Sequence, residues 1–102
     1  IHGFNDTPQS VRPLADALHA AGWTVQVPLL RGHGRGVEHL DDGTADAWLA
    51  DMRAEYRALR STYRHVALIG LSMGGALAAI LAATEDDVES LVLLAPYLGM
   101  PK

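Results

Sequence analysis

The sequence predicts an α/β fold of three layers, a mostly parallel sheet with helices on both faces. Three observations carry this reading. Short apolar runs alternate with amphipathic stretches along the 102 residues, a pattern that builds parallel strands joined by right-handed crossovers. The runs at 65–70 and 89–96 are nearly continuous in apolar residues, as in strands buried on both faces. "GLSMG" at 70–74 stands where the first of these runs meets an alanine-rich stretch.

Taken in order, residues 1–3 read as the stub of a strand. Thr7 followed by Pro8 reads as a helix N-cap with proline at the first helical position. Val11, Leu14, Ala15 and Leu18 follow at helical spacing, and Gly22 closes the helix. "WTVQVP" reads as a strand over 23–27, stopped by Pro28. Residues 29–43 form a loop rich in glycine and charge.

Thr44 caps a second helix, with Asp46 in its first turn. Trp48, Met52, Tyr56 and Leu59 make its apolar stripe, and Arg57 and Arg60 lie in its last turns, where they suit the helix dipole. A strand over 65–69, a helix over 73–84 and a strand over 90–94 complete the chain. Parallel sheets bind ligands beyond the C-terminal ends of their strands. That edge gathers residues 1–4, 28–36, 70–74 and 95–98.

Apolar residues make up 49% of the chain and charged residues 20%, with a formal net charge of −4. This is the composition of one globular domain, and it carries no electrostatic footprint for nucleic acid. The absence of cysteine excludes a disulfide frame or a thiolate metal site and fits a reducing cytoplasm, the expected compartment. No apolar stretch approaches the roughly 20 residues of a membrane span, and no signal peptide is recognisable. The chain opens on Ile1 rather than methionine and reads as cut from something longer.

The chemistry centres on Ser72. In G-x-S-x-G a strand turns sharply into a helix and leaves one side chain at the apex. Small neighbours relieve the crowding, and the serine is expected to sit in strained backbone with positive φ. Gly75 and Ala76 would let the helix pack close to the sheet. The N–H of Met73, at the start of that helix, is available to a developing oxyanion. A second donor is the backbone N–H of Phe4 in "HGF" (2–4), with Gly3 allowing close approach. The bland alternative is that Ser72 merely occupies a turn between glycines. Its position between a buried strand and a small-residue helix favours the nucleophile.

A base is harder to find. His65 begins its strand, and five residues at about 3.3 Å each put it roughly 16 Å from the elbow. His19 lies near the end of the first helix, and His39 lies in a loop. His2 and His33 are at the correct edge, but each sits in a tight glycine turn that suits a structural role. Asp41, Asp42, Asp46, Asp51, Asp86 and Asp87 read as caps or solvated charges. "RGHGRG" (31–36) departs from the phosphate-binding pattern G-x-G-x-x-G and precedes a loop rather than a helix.

With "HGFNDTPQSVRPLADAL" (2–18), "VPLLRGHG" (27–34), "TADAW" (44–48) and "GLSMGG" (70–75) in view, the chain resembles the α/β-hydrolase family, in particular bacterial monoacylglycerol lipases and related carboxylesterases. The resemblance covers nearly the whole chain. It implies Ser72 as nucleophile, Phe4 and Met73 as oxyanion donors, and hydrolysis of small-molecule acyl esters through an acyl-enzyme, with no cofactor or metal. It also implies that residues 1–102 are a partial α/β-hydrolase domain, without the family's first strands, its cap and its later Asp and His. The segment alone is then expected to hydrolyse esters near background. Gly36 stands where many relatives have serine. Phe4, Leu29, Leu30, Met73 and Leu98 are candidates for an acyl pocket. The same elbow would serve a thioesterase or acyltransferase. A non-catalytic, hydrolase-like domain is the alternative outside enzymes. Acyl-chain length and oligomeric state are left open.

Overall fold

The computed structural model describes residues 1–3, 8–31 and 44–94. Thr7, Phe4, His33, Gly36, His39, Asp41, Asp42 and Leu98 lie outside the described residues. A 3₁₀ turn, Pro8–Val11, leads into helix α1, Arg12–Ala20. The sequence pattern started this helix at Pro8. Pro13 stands in the first turn of α1 and has no N–H to donate to residue 9, which favours the tighter turn before it. At the other end the Gly22 N–H donates to His19 O and the Trp23 N–H to Leu18 O, both 3.0 Å. Gly22 has φ 103°, the left-handed conformation that this pair of bonds requires.

Residues 23–27 do not form the expected strand. A strand needs a ladder, and among the described residues this segment finds none. Ile1 lies beside Ile69 and Leu71. Its nitrogen donates to Ile69 O at 2.6 Å, and its carbonyl accepts from the Leu71 N–H at 2.9 Å. The stub at 1–3 therefore docks where the sequence placed it, but two bonds at one residue do not make a strand.

Helix α2, Ala45–Thr62, begins as expected, with the Ala47 N–H donating to Thr44 Oγ1 at 3.1 Å. Strand β1, Ala67–Leu71, helix α3, Met73–Thr84, and strand β2, Ser90–Leu94, follow. β1 starts at Ala67 rather than at 65. The residues before it are held by a His65–Glu89 side-chain pair at 2.9 Å and by the Glu89 N–H on Val66 O. The strands pair in parallel, from Ala67 opposite Ser90 to Leu71 opposite Leu94.

The core lies where α2 meets α3 and α3 meets both strands. Trp48, Met52 and Tyr56 of α2 are buried, with Leu77, Ala78 and Leu81 of α3 and Leu68 of β1. Removing such a side chain, as in Met52→Ala, costs about 2–5 kcal/mol in comparable cores.

β2 departs from the expectation of a strand buried on both faces. Leu91, Val92 and Leu94 are 38%, 42% and 36% exposed. Among the described residues β2 has a neighbour on one edge only. The face carrying Ile69, Leu71, Val92 and Leu94 opens on a cavity of about 530 Å³, whose far wall includes Leu14 and Leu18 of α1. α1 thus stands off the sheet across an apolar space. Among the described residues no helix is long and apolar enough to cross a membrane.

Candidate active site

Ser72 is the single residue between β1 and α3, and its backbone has φ 54° and ψ −119°. A residue with a Cβ rarely adopts this geometry, and it persists only when its surroundings impose it. Here they do. The Ser72 N–H donates to Leu94 O at 2.9 Å, continuing the ladder onto β2, and its carbonyl accepts the Gly75 N–H at 2.9 Å. The side chain makes no capping bond to α3. Its oxygen is left for other work.

The two glycines of "GLSMG" have steric reasons that can be read atom by atom. A Cβ on Gly70 would overlap the Gly74 carbonyl and stand 2.5 Å from the Gly75 Cα. A Cβ on Gly74 would overlap the Ile1 carbonyl and stand 2.5 Å from the His2 carbonyl oxygen. Gly75, expected to pack closely, is buried and its Cα is among the atoms that leave no room for a Cβ on Gly70. These contacts seat the start of α3 against β1 on one side and against residues 1–2 on the other. The pattern marks the glycines, but only the fold shows that residues 1–2 are what Gly74 must admit.

Met73 is the first residue of α3, so its N–H has no acceptor within the helix. It is half-buried and packs against the core. Gly3 abuts the serine: a Cβ there would stand 3.4 Å from Ser72 Cβ and 3.8 Å from Ser72 Oγ. Residues 1–3 and 72–74 are therefore brought together. The donor expected from Phe4 lies outside the described residues.

His2 is fully buried. Its Nε2 accepts the Leu30 N–H at 2.9 Å, and its Nδ1 lies 2.9 Å from the Gly3 carbonyl oxygen. An imidazole whose Nε2 must accept carries its proton on Nδ1, so Nδ1–H donates to Gly3. Both nitrogens are engaged away from the serine hydroxyl, in agreement with the structural role read from the sequence. His65 is exposed and tied to Glu89 before β1 begins, while Ser72 follows the end of β1. His19 is exposed in the last turn of α1. Among the described residues no histidine stands as a base for Ser72.

Of the acyl-pocket candidates, Leu30 is fully buried in the core cluster rather than open to a ligand, while Leu29 is half-exposed. The reason is the tether around residues 30–31. Trp48 Nε1 donates to Arg31 O at 2.7 Å, and the Arg31 guanidinium forms a two-pronged pair with Asp51 at 2.7 and 3.2 Å. Asp51, read as a solvated charge, is thus a partner of that segment. Nothing in the sequence pattern marked this link. Asp86 and Asp87 are exposed in the turn after α3, as expected.

The chain is similar to known proteins. The family model described as "Serine aminopeptidase, S33" matches residues 1–102. A thermostable monoacylglycerol lipase from Bacillus sp. (strain H-257) is 38% identical over 101 residues, 99% of this chain and 40% of the relative. A carboxylesterase from Bacillus subtilis (strain 168) is 33% identical over 85 residues, 82% of this chain and 35% of the relative. A solved structure from work on LipS and LipT, two metagenome-derived lipolytic enzymes, superposes with a TM-score of 0.90 at 35% identity, covering 99% of this chain and 42% of that one. The chain spans about two fifths of the length of these relatives. On the whole-length family match and on these likenesses, the chain belongs to the serine aminopeptidase S33 family of α/β-hydrolases.

Proposed function

We propose that the protein is a serine hydrolase that cleaves carboxylic esters through an acyl-enzyme on Ser72. The observation that carries the reading is the backbone of Ser72, φ 54° and ψ −119°, held between β1 and α3 with its hydroxyl unused for capping. Strain of this kind costs of order 1–3 kcal/mol, and a turn without chemistry has no need of it. The Met73 N–H is one oxyanion donor, and the N–H of Phe4 is the second. The substrate class is a lipid-like or short acyl ester, in keeping with the lipase and carboxylesterase relatives. The sheet is the middle layer, with α1 on one face and α2 and α3 on the other.

A serine hydroxyl needs a base to take its proton. His2 is committed elsewhere, so the base is placed outside the described residues. The step itself is acyl transfer. The Ser72 oxygen attacks the ester carbonyl, the two N–H groups hold the resulting oxyanion, and the alcohol leaves with a proton. Water then hydrolyses the acyl-serine.

The test uses the full-length protein with a fluorophosphonate probe and a p-nitrophenyl butyrate assay. Wild type is expected to be labelled once, on Ser72, and Ser72→Ala is expected to lose labelling and about 10⁴-fold or more in kcat. Retained turnover in Ser72→Ala would end the nucleophile reading. A butyryl-enzyme from p-nitrophenyl butyrate that turns over only on adding an alcohol or thiol acceptor would make it a transferase.

A further inference from the structure

We propose that Gly3 is a specificity-determining residue. Its missing side chain keeps space beside the Ser72 hydroxyl for acyl groups branched next to the ester carbonyl. The proposal rests on the reading of Ser72 as nucleophile.

The glycines of this fold are fixed as glycine for different reasons. Gly22 has φ 103°, a conformation that residues with a Cβ rarely adopt. Gly70 and Gly74 face backbone atoms that any Cβ would overlap. Gly3 meets neither constraint among the described residues. Its φ is not positive. A Cβ built on it would stand 3.4 Å from Ser72 Cβ, 3.5 Å from the Leu71 carbonyl oxygen and 3.8 Å from Ser72 Oγ. These are ordinary van der Waals separations. A methyl at residue 3 therefore fits these neighbours, and what it would fill is space against the serine hydroxyl.

The methyl could not back away. Gly3 is buried, and its carbonyl oxygen lies 2.9 Å from His2 Nδ1. Ile1 is bonded to Ile69 and Leu71, and the carbonyls of Ile1 and His2 lie hard against Gly74. On the other side, the backbone of Ser72 is held by the Leu94 carbonyl and the Gly75 N–H. Both partners of the contact are pinned.

Distance decides what the methyl would compete with. In an ester poised for attack the carbonyl carbon stands about 3–3.5 Å from the attacking oxygen. A methyl 3.8 Å from Ser72 Oγ lies in the same shell of space. It takes room from the groups bonded to that carbon. Of these, the alcohol departs in the first step, whereas the acyl chain stays bonded to Ser72 Oγ until water releases it. The acyl side therefore passes the Gly3 flank in both steps, and the carbon next to the carbonyl passes it most closely. A linear chain can turn its one substituent away from the flank. A branched chain carries two and has fewer ways to avoid it.

The test uses the full-length protein with p-nitrophenyl butyrate and p-nitrophenyl isobutyrate. The two share a leaving group and an atom count and differ only in branching. Wild type is expected to hydrolyse both, with kcat/KM values within about tenfold, the low end for a methyl-sized difference in a pocket. Gly3→Ala is expected to widen the preference for butyrate by about 10–200-fold, the range for a misfit of that size. Its melting temperature should equal or slightly exceed that of wild type, because alanine in an accessible conformation restricts the unfolded chain.

An unchanged preference in Gly3→Ala overturns the proposal. So does a melting temperature well below that of wild type, because the fold itself would then require the glycine. Wild type alone gives a second check that needs no variant to fold: rejection of isobutyrate beyond the tenfold margin means that the space is not there. An active Ser72→Ala enzyme would defeat the nucleophile reading and this proposal with it. An inactive Ser72→Ala beside an unchanged preference in Gly3→Ala would defeat this proposal alone.

Discussion

Two residues other than glycine have positive φ among the described residues: Ser72 at 54° and Asp87 at 63°. They sit at the two ends of α3, and their surroundings differ in kind. Asp87 is in an open turn, its side chain 78% exposed, with its carboxylate 3.7 Å from Arg60. Aspartate visits the left-handed region readily, because its short side chain bonds locally. Ser72 has no such excuse. Its conformation is imposed by the Leu94 carbonyl, by the seating of α3 on residues 1–2 and by two glycines with no room for a Cβ. One positive φ is a local preference of a residue type. The other is enforced by the tertiary structure, and it is the one that presents a hydroxyl.

The most direct way to break the contrast is to spoil the enclosure around Ser72. In Gly74→Ala the new methyl meets backbone carbonyls of Ile1 and His2, which cannot swing aside. The expected cost is about 3 kcal/mol or more, the upper range for overpacking. It should be read as a lower denaturation midpoint at unchanged m-value, together with loss of phosphonate labelling. A variant as stable and reactive as wild type would show that the enclosure is not tight.

A paired substitution sharpens the same point. Ser72→Gly should raise stability by about 1 kcal/mol, the relieved strain exceeding the added freedom of the unfolded chain. Asp87→Gly should change stability by less than about 0.5 kcal/mol and leave turnover alone. Urea unfolding of both variants decides the matter, and equal shifts would erase the distinction.

Tyr56 probes the Asp87 side. Its hydroxyl donates to Asp86 O at 3.0 Å, bracing that turn from α2. Tyr56→Phe should cost about 1 kcal/mol, the net worth of one hydrogen bond, with no effect on kcat. Burial pushes the Tyr56 phenol above its ordinary value of 10.0, with Arg60 pulling in the other direction. The neutral phenol is thus favoured in the fold, so its contribution is complete below pH 10.0 and is lost as pH rises through the raised value. Wild type should therefore lose more stability than Tyr56→Phe above that pH, as measured by urea midpoints across the range.

What the sequence made legible was whatever is decided within a few residues. The bounds of α3, the Thr44 cap, the Gly22 stop and the positive φ of Ser72 all follow from local chemistry, and all stand in the structure. What depends on remote neighbours was read less well. "WTVQVP" has the composition of a strand, but composition supplies no ladder. The apolar run of β2 implied cover on both faces, which the described residues do not give it. Leu30 has the profile of a pocket residue and became core because Trp48 and Arg31 hold its segment down. The double engagement of His2 depends on Leu30, 28 positions away, and no spacing rule finds it.

That distance along the chain also bears on when the site comes into being. Helices form within about a microsecond, because their bonds join near neighbours. The docking of Ile1 on Ile69 joins residues 68 positions apart, and such closures must overcome chain entropy before they are rewarded. Without residues 1–2 in place, nothing on that side seats the start of α3. On the proposed reading of Ser72 as nucleophile, its presentation depends on contacts far apart in the chain and not on helix formation alone.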